Sequence, residues 1–430
     1  MKISVIGTGY VGLCTGVGFA IKGHNVICVD IDEKKIKMIN SGKSPIYEPL
    51  LDGYLKKVLK EKRFEATKDI DYAIKKTDIS FISVGTPSRP DGSIDLRYIE
   101  QASKDIGNAL KNKNDYHIVV VKSTVLPGTT ENVVKKNIEK FSLKKAGKDF
   151  GLAMNPEFLR EGKALEDFSN PDRIVIGGFD KKSTNFIEKL YEKFDAPILK
   201  TDIKTAEMIK YASNAFLAAK ISLINEIGNI CKKLGIDTYE VAKGIGYDKR
   251  IGDKFLNSGI GYGGSCFPKD VKALISKAKE IGYDPKILKD VISVNEKQPF
   301  MILDILKKYL PNLKGKKIAL LGLAFKPDTD DIREAPSIKI IEKLLEEKAV
   351  ITAYDPKAMN NMKSIFPKIM YAENPKHALK GADACLILTE WDEFKNLTEK
   401  DFSIMKNKII IEGRRVLDKK KVKNFEGVCW

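Results

Sequence analysis

The stretch that most restricts what this chain can fold into is "KISVIGTGYVG", residues 2 to 12, a short β-branched run that ends in Gly7, Gly9 and Gly12. Glycines at that spacing let a chain leave a strand, turn tightly and enter a helix while its backbone stays open to a pyrophosphate. The next apolar run, "NVICVD", ends at Asp30, about eighteen residues beyond Gly12. There a carboxylate can accept hydrogen bonds from both ribose hydroxyls of NAD and repel the 2′-phosphate of NADP. Gly7, Gly9, Tyr10, Val11, Gly12 and Asp30 are therefore the candidate NAD contacts, and the pattern opens a parallel α/β sheet.

Buried-type strands continue at "DISFISVGTP", "HIVVVKST", "FGLAMNPEF" and "DRIVIGG", to about residue 178. From Thr201 to Gly235 the sequence lacks proline, is alanine-rich and is apolar at helical spacing, which predicts one helix longer than a domain needs, a spine between domains or a dimer core. Mainly helical sequence follows to about Gln298. A second α/β pattern then begins with "KKIALLGLAF" and runs through "AVITAYDP", "ADACLILTE" and "KIIIEG", with Asp355 closing its second strand. The fold class expected is α/β: two Rossmann-like domains with parallel sheets, joined by a long central helix and a helical dimerisation domain. The boundaries read 1–198, 199–300 and 301–430, as suits 430 residues, more than one core serves.

Composition excludes more than it selects. A net charge of +17 raises nucleic acid, but the lysines are interleaved with glutamates, with no basic arm or aromatic-interleaved patch, so neither nucleic acid nor membrane is expected as a partner. The start is too glycine-rich and too quickly charged for a signal peptide, and a cytoplasmic location is expected. Six cysteines without CxxC spacing and three isolated histidines predict neither a disulfide framework nor a metal site.

"GYGGSCFPKD" sets Cys266 on a glycine-rich stretch, four positions ahead of Asp270. A thiolate beside a bound nicotinamide could add to an aldehyde, pass on a hydride and leave a thioester for water to cleave, taking an alcohol to an acid in two oxidations. Lys210 and Asn214, one turn apart on the long helix, would offer an ammonium and an amide to one point, or are simply a solvated i,i+4 pair. Asp270 would orient water or hold a lysine, or cap a helix after the loop. Glu157 and Glu161 in "NPEFLREG" would share the face of a helical turn, or form an ordinary acidic first turn. Lys326 would meet a phosphate or close a loop.

Assembled in order, "GTGYVG", "VGTPSRPDGSIDL", "KSTVLPGTT", "NPEFLREG", "EMIKYASNAFLAAKIS", "GIGYGGSCFPKD", "LAFKPDTDDIREAPS" and "GRRVLD" resemble the nucleotide-sugar 6-dehydrogenases over nearly the whole chain. The resemblance implies a four-electron oxidation of a sugar C6 alcohol to a carboxylate with two NAD reduced, with UDP-glucose as substrate. It implies Cys266 as nucleophile among Lys210, Asn214 and Asp270, with Glu157 and Thr124 in the proton and water chemistry. Lys35, Thr86, Thr124, Glu161, Lys269 and Arg333 match NAD contacts. Glu157, Phe158, Leu159, Lys210, Asn214, Phe255, Tyr262, Gly263, Lys326 and Arg415 match the nucleotide-sugar site. Arg250 matches an arginine donated across a subunit interface, which implies at least a homodimer. Asn257 departs from the lysine found there in some members. Sister enzymes acting on GDP-mannose or UDP-N-acetylmannosamine, and a non-catalytic nucleotide-binding regulator, are the competing readings.

Overall fold

The computed structural model describes residues 1–430, which divide into two compact units, Met1–Ser213 and Asn214–Trp430. No helix is long and apolar enough to cross a membrane.

The first unit is built on an eight-stranded sheet: β1 (Lys2–Ile6), β2 (Asn25–Val29), β3 (Phe64–Thr67), β4 (Ile79–Ile82), β5 (His117–Val121), β6 (Phe150–Met154), β7 (Ile174–Gly178) and β8 (Ile198–Thr201). Their order, β3-β2-β1-β4-β5-β6-β7-β8, places the strand before the glycine turn at the point where the winding reverses, where open α/β sheets bind ligands. β4, β5 and β6 are buried along their whole length, which explains their unbroken apolar sequence. One expectation is corrected: the sheet is not wholly parallel, because β7 runs antiparallel to β6, pairing Ala153 with Gly178 and Met154 with Gly177. The loop after β6 and a short helix, Ala164–Ser169, return the chain without a full crossover.

The second unit carries a six-stranded, all-parallel sheet of order β11-β10-β9-β12-β13-β14, from β9 (Lys317–Leu321), β10 (Val350–Tyr354), β11 (Met370–Tyr371), β12 (Ala384–Ile387), β13 (Ile410–Glu412) and β14 (Glu426–Gly427). Its core joins β9 and β12 to the helices Met301–Tyr309 and Pro336–Glu346. The long helix predicted from sequence is a single 32-residue element, Ile203–Leu234. Helical hairpin sequence follows, with Phe267–Glu280 and Lys286–Lys297.

Candidate active site

At the glycine turn of the first unit the three glycines have different reasons to be there. Gly7 takes φ +100°, and a Cβ on Gly12 would lie 1.9 Å from the Gly7 carbonyl oxygen, so both positions reject a side chain. Gly9 has no atom within 4 Å of where its Cβ would be, and it caps the helix Tyr10–Ile21 without any side-chain hydrogen bond. No N-cap side chain competes there with an anion for the positive end of the helix. Asp30, half-buried, accepts from Thr8 N at 2.9 Å, from the Thr8 hydroxyl and from Asp32 N at 3.0 Å. Burial pushes its pKa up, but these hydrogen bonds and the nearby Lys35 outweigh that and hold it below the usual carboxylate range. A carboxylate has about four lone-pair directions, so Asp30 keeps acceptor capacity toward solvent. These features fit NAD. Tyr10 donates to the Tyr47 carbonyl at 2.7 Å, Val11 is half-buried and Thr86 is buried. Ile31, next to Asp30 and 91% exposed, offers an apolar face at this lip that sequence reasoning missed.

At the carboxyl ends of β5 and β6 lies a buried polar cluster. Lys210, on the long helix, pairs with Glu157 at 3.0 Å, both side chains almost wholly buried. Glu157 also accepts from Leu159 N at 2.6 Å. The helical turn expected for Glu157 and Glu161 is not formed: residues 155 to 160 are irregular, Gly162 has φ +82°, and the helix starts only at Ala164. Its N-terminus is capped instead by the buried Glu48, whose carboxylate accepts from Gly162 N and Ala164 N, each at 2.7 Å. Glu161 is half-buried at that turn. Phe158 lies under the Arg173 guanidinium, 3.8 Å from its ring centroid, with the Lys210 ammonium 5.4 Å away. Thr124 is half-buried on the loop after β5.

The same loop is tied by groups that sequence reasoning passed over. Glu207, on the long helix one turn before Lys210, is fully buried and accepts from Gly128 N at 2.6 Å and Thr130 N at 2.8 Å. Burial raises its pKa to about 7 against those hydrogen bonds. Lys122, at the end of β5, is buried and donates to the Asn155 side chain at 3.1 Å. The signal for Lys122 was a lysine directly behind the apolar run "HIVVV".

In the second unit Cys266 is the N-cap residue of the helix Phe267–Glu280, half-exposed, with its sulfur 3.6 Å from the Ser265 hydroxyl. Asp270 does not cap this helix; it lies buried in the first turn, accepting from Asn214 Nδ2 at 2.6 Å and from the Lys269 ammonium. The glycine-rich approach is packed rather than loose. Gly264 has φ +82°, donates to the Arg333 carbonyl at 2.8 Å, and a Cβ there would strike the Phe325 ring. A Cβ on Gly263 would lie 2.3 Å from the Glu334 carbonyl oxygen. Asn295 fixes Tyr262 from both sides, accepting from its N–H at 2.8 Å and donating to its carbonyl at 3.0 Å. Arg333 forks onto Asp331, Arg415 pairs with Asp237 and covers the Tyr239 ring, and exposed Arg250 forks onto Asp248. Phe255 takes φ +62° and is exposed, as is Asn257, whereas Lys326 is half-buried.

Three matches to known protein families cover most of the chain: the NAD binding domain of the UDP-glucose/GDP-mannose dehydrogenase family at residues 1–195, its central domain at 204–297 and its UDP binding domain at 319–419. A UDP-glucose 6-dehydrogenase of Haloferax volcanii is 45% identical, with 100% of both chains covered, and one of Bacillus subtilis is 47% identical over 96% of this chain and 89% of its own. Among solved structures, a UDP-glucose dehydrogenase from Pyrobaculum islandicum superposes with TM-score 0.94 at 42% identity, covering 100% of this chain and 98% of that one. A UDP-D-ManNAc dehydrogenase from Pyrococcus horikoshii superposes with TM-score 0.89 at 32% identity, covering 100% and 99%.

Proposed function

Because the chain belongs to the UDP-glucose/GDP-mannose dehydrogenase family, we propose that it oxidises the C6 alcohol of UDP-glucose to the carboxylate of UDP-glucuronate. It is an NAD-dependent oxidoreductase acting on a nucleotide sugar. The relatives named for UDP-glucose share more of this sequence than the one named for UDP-D-ManNAc, which supports UDP-glucose as the sugar.

The observation that carries the chemistry is Cys266 at the N-terminus of a helix whose first turn buries Asp270 against Asn214 and Lys269. The positive end of the helix dipole lies beside the sulfur, which favours attack by a thiolate. NAD, held by Gly7, Gly9, Tyr10, Val11, Gly12 and Asp30 with Lys35, Thr86, Glu161, Lys269 and Arg333, supplies a hydride acceptor for each of two oxidations. Lys210, paired with Glu157, handles the proton of the alcohol in the first. Cys266 Sγ then bonds to the C6 aldehyde carbon, and the aldehyde oxygen takes a proton to give a thiohemiacetal. Loss of that proton and of the C6 hydride leaves a thioester. Water adds at the carbonyl, the C–S bond breaks, and carboxylate and free thiol separate. Asn214 donates its amide toward the oxygen that gains charge, Asp270 holds that amide in place, and Thr124 and Glu157 position the water.

Phe158, Leu159, Phe255, Tyr262, Gly263, Lys326 and Arg415 form the nucleotide-sugar site in this reading, and Asn257 replaces a cationic contact with a neutral one. The chain divides functionally into 1–198, 199–300 and 301–430. A homodimer is supported by Phe216, Leu223 and Ile230, apolar and exposed at seven-residue intervals on the long helix; in this reading Arg250, which forks onto Asp248 of its own chain, would turn to the partner's site. Six cysteines without a disulfide suit the reducing cytoplasm. The test is NADH release with UDP-glucose, GDP-mannose and UDP-N-acetylmannosamine assayed side by side. Two NADH per UDP-glucose is the expected result, and release with GDP-mannose alone overturns the assignment.

A further inference from the structure

Lys122 follows the last residue of β5 and is 4% exposed. Burying an ammonium is costly, and an apolar residue would continue the strand more cheaply, so its contacts need a reason. Its Nζ donates to Asn155 Oδ1 at 3.1 Å and to the Asn155 carbonyl at 3.4 Å, and lies 5.9 Å over the Phe81 ring. Asn155 is itself fastened on its other sides. It accepts from the Tyr191 hydroxyl at 2.6 Å, donates through Nδ2 to the Val175 carbonyl at 2.8 Å, and donates through its backbone N–H to the Val121 carbonyl at 2.9 Å. Immediately beyond Asn155 the chain passes through Pro156 to Glu157, the partner of Lys210.

We propose that Lys122 is a positioning residue of this site: by holding Asn155 from below, it fixes the turn that sets the Glu157 carboxylate against the Lys210 ammonium. The inference rests on the reading of the chain as a nucleotide-sugar dehydrogenase. Two further facts support it. The charges that face Lys122 are those of the reacting pair, Glu157 attracting and Lys210 repelling. Burial, with Lys210 adding and Glu157 opposing, brings the Lys122 pKa down to about 8. A change at Lys122 thus reaches Glu157 through one hydrogen-bonded residue, Asn155.

The experiment uses the full chain with NAD and UDP-glucose. Lys122→Met removes the donor, and Lys122→Gln keeps an N–H for Asn155 without the charge. The expectation is a kcat lowered about 10- to 100-fold in Lys122→Met with both KM values within about threefold of wild type, as for misplacement of a reacting group. Lys122→Gln should recover most of that loss, and the alkaline limb of the kcat–pH profile should move in both. A kcat for Lys122→Met within about twofold of wild type overturns the proposal, as does a Lys122→Gln no better than Lys122→Met. Should Lys122→Met not fold, a cycle of Lys122→Gln with Glu157→Gln decides. A double variant no worse than Glu157→Gln alone supports positioning through Glu157, and additive losses overturn it. A wild type that releases no NADH with any nucleotide sugar defeats the parent reading. An active wild type with an unaffected Lys122→Met defeats only this inference.

Discussion

Asp30 and Asp355 stand at the same place in two sheets, each just past the second strand and beside a glycine that leaves the first. Gly7 donates to the Val29 carbonyl at 2.7 Å with φ +100°, and Gly322 donates to the Tyr354 carbonyl at 2.8 Å with φ +93°. Beyond that shared geometry the two carboxylates are used differently. Asp30 is half-buried and serves only Thr8 and Asp32. Asp355 is fully buried and accepts from Leu323 N at 2.7 Å, Ala324 N at 3.0 Å, Lys357 N at 2.8 Å, Ala358 N at 2.7 Å and Trp391 Nε1 at 3.0 Å. Five donors saturate it, leaving nothing for a ribose. The same topology therefore yields one site open to a dinucleotide and one locked turn, and a repeated fold does not by itself imply a repeated ligand.

The largest break in that comparison should come from Asp355→Ala. It strands several buried donors and should cost about 3 kcal/mol or more of stability, read by urea denaturation. Asp30→Ala should cost about 1 kcal/mol of stability while weakening NAD binding about 10- to 100-fold by fluorescence titration. Equal stability losses in the two variants would mean that the two carboxylates serve the fold alike. Smaller again, Gly9→Ala should fold with an unchanged Tm, because its Cβ meets nothing in the protein, and should bind NAD about tenfold more weakly as the methyl enters the space offered to the pyrophosphate. Gly12→Ala should instead lose stability as well.

The smallest effects are in the response to acid. His117, fully buried under Lys113 and Ser80, is held neutral, its pKa pushed by burial down to about 3. The unfolded chain protonates this side chain near 6.5 and the native chain does not, so stability falls as pH drops through that interval. Glu207 and Glu412 act oppositely. Burial raises each to about 7, so between 7 and about 4.5 the native state holds protons that the unfolded chain releases, and stability rises as pH falls. Between pH 6 and 5 each group contributes about 1 kcal/mol of its own sign. Urea midpoints across that range should shift toward greater acid sensitivity in Glu412→Gln and toward less in His117→Gln.

Much of this was legible from local sequence. The glycine spacing, Asp30, the alternation of apolar runs with helices and the long proline-free helix each depend on residues close together in the chain. What escaped depends on partners far apart. Nothing near "NPEFLREG" says that Glu48 caps its helix, which is why an acidic first turn was expected where an irregular loop forms. Nor does "KSTV" reveal that its lysine reaches Asn155, just past the end of the neighbouring strand β6. The echo of Asp30 in Asp355 was visible, but the five donors that separate their roles come from two strand ends and Trp391.

The covalent role proposed for Cys266 is tested most directly by Cys266→Ser, assayed for NADH release with UDP-glucose and for UDP-glucose binding by calorimetry. A hydroxyl is a far poorer nucleophile than a thiolate at neutral pH, so turnover should fall by about 10³-fold or more while binding stays within about threefold. Turnover close to that of the wild type would remove the sulfur from the reaction.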